Sequence, residues 1–291
     1  MHSAARRAPL AAALIATITL GPPANAGGQT APTAASAGRE VRTNESSWFS
    51  STAELPLSKR LTWLTDGSVR RSGGVRDPQQ LLFRTGLAAT LAPELRVAAG
   101  FALIQTSPYG ELPATAAYPE RRLWQQAQLK GQSGPLAWTH RYRLEQRWVG
   151  RTDAASDGRV LDWRYTNRMR YQLRATVPLR GHTIDVHEPY LTGTDEVMVN
   201  FGRAVRMNVF DQNRLQLSLG YMLGGGTRLE AGYMDQLVAK PDGHFLERNR
   251  TIVTAVYVAP TRRLRTPARP YAHQRRPVVD TAVVDLGART P

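Results

Sequence analysis

The fold class that this sequence predicts is all-β, an antiparallel transmembrane β-barrel of about 10–12 strands. Three observations carry the prediction: an export signal at the start, many segments in which apolar and polar residues alternate, and no later apolar run long enough for a membrane helix. Alternation with a period of two residues is typical of strands whose two faces meet different surroundings.

Residues 1–26 have the features of a cleavable signal peptide. Arg6 and Arg7 precede an apolar run from Ala8 to Leu20, and Ala24-Asn25-Ala26 supplies a small-x-small cleavage pattern. The run is too short for a membrane-spanning helix, which needs about 20 residues. We therefore expect export by ordinary secretion, a mature chain that starts near Gly27, and location in the bacterial outer membrane.

Composition narrows the chemistry that the chain can support. There is no cysteine, which excludes disulfides, thiolate metal sites and a cysteine nucleophile. The net charge is +15, and such an excess attracts anionic lipid, anionic solutes or nucleic acid. Because an exported chain seldom meets nucleic acid, we expect no nucleic-acid partner. The expected partners are outer-membrane lipid and small anionic solutes, and the oligomeric state stays open.

The chain divides into four parts. They are the signal peptide (1–26), a flexible leader (27–44) rich in small residues, a β-barrel domain (45–260) and a basic, disordered tail (261–291) rich in proline and arginine. The predicted strands of the barrel domain are Trp48–Leu55, Leu61–Arg70, Gln80–Leu91, Leu95–Gln105, Arg121–Lys130, Leu136–Val149, Tyr165–Val177, Thr183–Tyr190, Arg214–Leu223, Arg228–Leu237 and Arg250–Val258.

Short turns and longer loops alternate between these strands, as in outer-membrane barrels. The predicted short turns are Pro56–Arg60, Ala92–Glu94, Gly131–Pro135, Pro178–His182 and Gly224–Thr227. Eleven strands are predicted, whereas single-chain bacterial barrels normally have an even number. We therefore expect one strand to be missed or split, and Glu196–Phe210 is the place where this is expected.

Two successive segments show which face is charged. Leu136 to Trp148 alternates apolar and aromatic residues with charged ones, and Tyr165 to Val177 repeats the pattern. Arginine on a lipid-facing position costs about 2–4 kcal/mol at the midplane, so in a membrane barrel Arg143 and Arg170 must face the lumen. Tyr142 and Tyr171 then face lipid.

Trp138 and Trp148 stand ten residues apart on one face. At about 3.3 Å per residue and a tilt near 40°, they would lie roughly 25 Å apart along the membrane normal, the height between two aromatic girdles. The same alternation also permits a soluble sandwich or lipocalin-like barrel with its apolar face inward. Strands of this length favour the membrane barrel.

Several short segments, in matching order from Trp48 to Val258, resemble the bacterial domain-of-unknown-function family 2490. They are Pro119-Glu120-Arg121-Arg122-Leu123-Trp124-Gln125-Gln126, Arg141-Tyr142-Arg143-Leu144-Glu145-Gln146-Arg147, Arg168-Met169-Arg170-Tyr171, Phe210-Asp211-Gln212-Asn213-Arg214 and Leu229-Glu230-Ala231-Gly232-Tyr233-Met234. The resemblance implies an outer-membrane or exported barrel and brings no catalytic residues. Two departures are Glu196–Arg206, which looks inserted, and the basic tail.

No catalytic, cofactor-binding or metal site is predicted. An acyl-transfer enzyme needs a nucleophile beside a histidine base, and His140 falls on the apolar face of its strand. His187 and Glu188 would point to opposite faces of the predicted strand, while His182 and His187 lie too far apart on it to share a metal. Gly224-Gly225-Gly226 is a turn, because no helix pattern follows it.

The most distinctive chemistry is a set of charged residues expected inside the barrel. Two interpretations stay open for it: a lumen-filling ion network, and a basic path or pocket for anionic solutes or lipid headgroups. The expected function is a non-enzymatic outer-membrane barrel, structural or passing small anions; the alternative is a lipid-modifying hydrolase or acyltransferase. The set is Arg141, Arg143, Glu145, Arg147, Arg168, Arg170 and Arg174.

Overall fold

The computed structural model describes residues 39–153, 155 and 158–260, which form one closed barrel of eleven strands. The strands are β1 (Glu40–Pro56), β2 (Leu61–Ser72), β3 (Asp77–Thr90), β4 (Leu95–Thr106), β5 (Tyr118–Ser133), β6 (Leu136–Arg151), β7 (Asp162–Pro178), β8 (Pro189–Phe201), β9 (Phe210–Gly224), β10 (Thr227–Ala239) and β11 (Phe245–Val258). The all-β barrel and its strand number, within the predicted 10–12, are confirmed. The predicted signal peptide, the leader up to residue 38 and the tail from residue 261 lie outside the described residues.

The barrel closes in an unusual way. Every strand pairs antiparallel with its neighbour in sequence, while β1 and β11 pair parallel to each other, with Trp48 beside Val253. An odd number of strands makes this parallel pair unavoidable, because β1 and β11 then run in the same direction. The expectation of an even number was therefore wrong, and no twelfth strand is present among the described residues.

Strand β8 corrects one sequence prediction. The residues predicted as a strand, Thr183–Tyr190, mostly belong to the connection between β7 and β8, where His187 adopts a positive φ of 66°. The true strand is Pro189–Phe201, in which Tyr190, Thr192 and Thr194 alternate with more exposed neighbours. Most of the segment expected to be an insertion, Glu196–Arg206, is thus part of the wall.

The wall also starts earlier than predicted. Residues 40–44, assigned to the leader, form the first part of β1 and pair with Phe245 to Asn249 of β11. Asn44 is buried and donates to the Asn249 side chain at 3.2 Å. These polar residues lack the apolar alternation that marks the rest of the strand, so sequence pattern alone did not extend the strand to them.

The two ends of the barrel differ in their connections. At one end, the turn rim, the connections are residues 57–60, 91–94, 134–135, 179–188 and 225–226. At the other end, the loop rim, they are 73–76, 107–117, 152–161, 202–209 and 240–244. The short turn predicted at Pro178–His182 is wrong, because this connection runs to Glu188. Within the described ranges, no helix is long and apolar enough to cross a membrane.

The strands are steeply staggered around the wall. Paired neighbours followed from Trp48 through β2, β3 and β4 lead to Tyr118 in β5. Followed the other way, through β11 and the remaining strands, they lead to Gln132 in the same strand. The separation of these two positions is the stagger that tilts strands against a barrel axis.

Glycine makes room for large rings inside the barrel. A Cβ atom at Gly86 or Gly100 would come within 2.7 Å of the Trp124 ring, and one at Gly220 would collide with Tyr190. Trp124 and Tyr190 are each only 2% exposed, so both rings are packed in full. Because these glycines have no side chain, the Trp124 and Tyr190 rings can pack directly against the backbone of the wall.

Candidate functional site

The charged residues predicted on β6 and β7 lie on the inward face of the barrel. Residues two apart on a strand share a face, which brings four residues of β6 and three of β7 to the interior. The strand register sets Glu145 opposite Arg168 and Arg143 opposite Arg170. The outward neighbours Tyr142 and Tyr171 lie with ring centroids 5.1 Å apart, and Tyr142 is 45% exposed.

Glu145 is the centre of this set. Its carboxylate accepts from Arg168 at 2.6 and 2.9 Å and from Arg170 at 2.7 Å, while Arg122 stands 3.8 Å away. Glu145 is 2% exposed and Arg168 is 3% exposed, so these charges are removed from solvent. A buried charge is tolerated only when it is paired and hydrogen-bonded, and Glu145 meets that condition.

Four further carboxylates complete the network and were not singled out in the sequence. Arg147 donates to Glu120 at 2.5 Å, Arg168 to Asp211 at 2.7 Å, and Arg174 to Glu230 at 2.5 Å. Glu196 accepts from Arg141 at 2.6 Å and from Arg170 at 2.8 Å. They sit on β5, β8, β9 and β10, so only the register across strands brings them to β6 and β7. Their inward positions in the alternation were the available signal.

Arg143 differs from its neighbours, since no carboxylate of the described residues lies within ion-pair distance of it. Its guanidinium donates twice to the Gln126 side-chain oxygen, at 3.0 and 2.5 Å, and lies 5.0 Å from the Trp124 ring. The Nη1 atom is buried and has no hydrogen-bond partner. With a 4% exposed side chain, Arg143 carries a buried charge that the protein leaves uncompensated.

Arginine is also held by uncharged partners around Trp48, where two arginines lie close to the same indole. The Arg70 guanidinium is 3.8 Å from the Trp48 ring and that of Arg214 is 5.0 Å away. Arg70 donates to Gln80 at 2.6 Å, and the indole N–H donates to Gln79 at 2.9 Å. Arg70 and the Trp48 indole are thus hydrogen-bonded to glutamines, whereas Arg168 and Arg170 are paired with the Glu145 carboxylate.

These side chains line one internal cavity of about 690 Å³. Its lining includes thirteen arginine or lysine residues and five aspartate or glutamate residues, so positive charge predominates. The alternation in β6 and β7 predicted the part of this lining that these two strands contribute. Arg70, Arg122 and Arg214 were not predicted, because single arginines on separate strands form no cluster until the barrel closes.

The loop-rim end of the cavity is covered by residues 107–117. Tyr109 donates to the buried Glu247 at 2.7 Å, and the backbone N–H of Glu111 donates to Asn44 at 3.0 Å. Burial and the neighbouring Glu247 carboxylate raise the pKa of Tyr109, so its hydroxyl stays protonated as a donor. Glu247 also pairs with Lys240. These contacts fasten the loop to β1 and β11.

The structure brings no histidine together with a hydrolytic partner within the described residues. His140 faces outward, with its ring nitrogen 2.8 Å from the Tyr171 hydroxyl. His187 lies in the connection before β8, and so the prediction that His187 and Glu188 occupy opposite faces of a strand was wrong. No group of three histidine, aspartate or glutamate side chains in this part of the chain could hold a metal ion.

A family described as Protein of unknown function (DUF2490) matches residues 45–247. No curated protein and no solved structure matches the chain. The matched residues run from β1 to the start of β11 and therefore include every residue of the ion network around Glu145. Because this match spans more than half of the sequence, the resemblance found there is confirmed, and the chain belongs to the DUF2490 family.

Proposed function

We propose that this protein is a non-enzymatic outer-membrane barrel whose arginine-rich interior admits small anionic solutes. The observation that carries the membrane placement is the inverted polarity of the wall. Large apolar side chains face outward on every strand, and most charged ones face inward. Leu81, Leu103 and Leu217, on three different strands, are each about half exposed. A water-soluble barrel would leave this surface in water, whereas lipid covers it.

The apolar belt on β9 covers most of the apolar band of an outer-membrane barrel, which is about 25 Å tall. On β9 the outward residues from Leu215 to Leu223 are all apolar and all at least 40% exposed. With about 3.3 Å per residue and a tilt near 40°, they cover roughly 20 Å of membrane normal. Nearer the loop rim, the outward residues Glu45, Arg248 and Arg250 are charged, as expected where a wall leaves the hydrocarbon.

Two outward carboxylates are each compensated by a neighbouring side chain. Asp195 accepts from Asn213 at 2.7 Å, and Asp235 pairs with Arg248. Pairing is the usual condition for ionisable residues at membrane depth. These pairs therefore fit the lipid placement, which the predicted signal peptide also supports.

Membrane fractionation tests the placement. We expect the chain to sediment with outer membranes, to lose about 26 N-terminal residues, and to migrate differently on gels when boiled and unboiled. Such heat-dependent migration requires a barrel that persists in detergent. Recovery in the soluble periplasmic fraction would contradict the membrane placement.

The predominance of positive charge in the cavity favours small anions over cations or neutral solutes. Conductance across planar bilayers tests this part. We expect channels that prefer chloride or phosphate to potassium. The loop formed by residues 107–117 and the ion pairs around Glu145 restrict the lumen, so the conductance should be small. Cation preference would contradict the anion-passing role, and an absence of conductance would leave only a structural barrel.

A further inference from the structure

The ion network contains more positive than negative charge, and the excess is concentrated in one layer. We call this layer the arginine chamber. It holds eight arginines and four carboxylates, and each of the carboxylates pairs with at least one of the arginines. The members are Arg70, Arg122, Arg141, Arg143, Arg147, Arg168, Arg170, Arg214, Glu120, Glu145, Glu196 and Asp211.

Arginine cannot relieve this excess by losing a proton, because a guanidinium stays charged in proteins. Burying charge without a counter-charge is costly, and the cost falls when an anion enters. Other interior arginines have partners of their own: Arg84 pairs with Asp66 at 2.7 Å, and Arg96 with Glu54 at 2.7 Å. At these two positions one carboxylate balances one arginine, whereas in the chamber the arginines outnumber the carboxylates.

The chamber also has hydrogen-bond donors with nothing to bind. Four buried donors have no partner: Arg70 Nε, Arg141 Nε, Arg143 Nη1 and Arg214 Nε. Buried donors of this kind are rare in folded proteins and call for a group that completes them. All of these side chains line the cavity of about 690 Å³.

Trp48 holds two of these cations near each other. The Arg70 and Arg214 guanidiniums lie 3.8 and 5.0 Å from its ring, so they are within about 9 Å of one another. The nearest carboxylate to Arg214 is Glu196, at 3.5 Å, which Arg141 and Arg170 share. Two like charges held around one apolar ring favour an anion beside them.

We propose that the arginine chamber binds a small multivalent oxyanion, of the phosphate or sulfate class, through Arg70, Arg143 and Arg214. The planar fork of a guanidinium matches the oxygens of such anions and gives two parallel hydrogen bonds, which chloride cannot accept. More than one unit of negative charge is required to balance the excess. The proposal rests on the basic interior of the proposed function and does not depend on conduction.

Binding is tested on the full-length chain folded in zwitterionic detergent, with inorganic phosphate, sulfate and chloride as the probes at equal ionic strength. Calorimetry and the thermal midpoint are the readouts. We expect phosphate or sulfate to bind saturably and to raise the midpoint, and chloride to do neither. R70Q and R143Q should each weaken the affinity at least tenfold. R121Q, which removes an outward charge beside Arg122, should change it less than twofold.

Equal effects of phosphate and chloride would overturn the proposal, as would equal losses in R143Q and R121Q. A rise in midpoint seen only with anionic phospholipid in the micelles, and not with free phosphate, would place the ligand on the outer wall and would also overturn it. Failure of the proposed function is separable. Saturable phosphate binding without conductance would leave the site in place and remove the channel, and anion conductance without saturable binding would do the reverse.

Discussion

Two regions of the interior handle buried arginine differently. Around β6 and β7, Arg168 and Arg170 share carboxylates contributed by several other strands. Around β1 and β2, Arg70 has an indole face and a glutamine instead. In the first region carboxylates pair with these two arginines and tie distant strands together, while in the second Arg70 has no carboxylate partner among the described residues. The role of a buried arginine is therefore decided by its partner and not by its burial.

The largest expected effect comes from breaking the carboxylate-paired region. Glu145→Gln leaves Arg168 and Arg170 with one carboxylate partner fewer in a buried place. Removing one partner of a buried pair typically costs about 3–5 kcal/mol. Urea unfolding followed by heat-dependent gel migration measures the loss. Glu45→Gln, at an exposed outward position, is the control and should cost less than about 1 kcal/mol.

The next effect compares the two faces of β6 at adjacent positions. Tyr142→Arg places a charge on the outward face and should cost about 2–4 kcal/mol if that face meets lipid near the midplane. Arg143→Gln removes an uncompensated inward charge and should cost far less. Folding yield into lipid vesicles measures both. The opposite ranking would mean that the outward face does not lie in hydrocarbon.

A smaller effect is expected at the loop rim. Tyr109→Phe removes the hydrogen bond to Glu247, worth about 1 kcal/mol, while Glu247 keeps its contacts with Lys240 and Asn249. Limited proteolysis should then cut within residues 107–117 faster, with the unfolding midpoint almost unchanged. An unchanged cleavage rate would show that the loop is held by other contacts.

The smallest effect should come from the unpaired region itself. Arg70→Gln loses its stacking on Trp48, but it also removes one charge of the excess, so the two changes offset each other to within about 1 kcal/mol. Unfolding is measured at low salt and without phosphate. A loss as large as that of Glu145→Gln would remove the distinction between the two regions.

Local alternation predicted much of the wall, because in a barrel the two faces of each strand meet opposite surroundings. It worked best for β6 and β7, where charged and aromatic residues alternate without interruption. It misplaced β8, since Thr183–Tyr190 also alternates weakly, whereas the true strand carries Gly193 and two adjacent acids, Asp195 and Glu196. A period of two residues alone does not distinguish such a connection from a strand.

Only the part of the site that lies on one pair of neighbouring strands could be predicted from the sequence. Arg143 and Arg170 lie on neighbouring strands, so their common face follows from sequence. Trp48 and Arg214 come from β1 and β9, and they meet only because the wall closes through β11 and β10. The wall also closes with an odd number of strands, whereas most bacterial barrels have an even number. Neither feature has a local signature.

The parallel pairing of β1 with β11 has a consequence for what the barrel can present to its surroundings. Glu40 opens the wall at the loop rim, and Val258 ends it at the turn rim. A segment joined to the first strand and a segment joined to the last therefore depart from opposite mouths. If the wall separates two compartments, the two ends of its sheet face different compartments. Antibodies would then reach epitope tags placed before Glu40 and after Val258 from different sides.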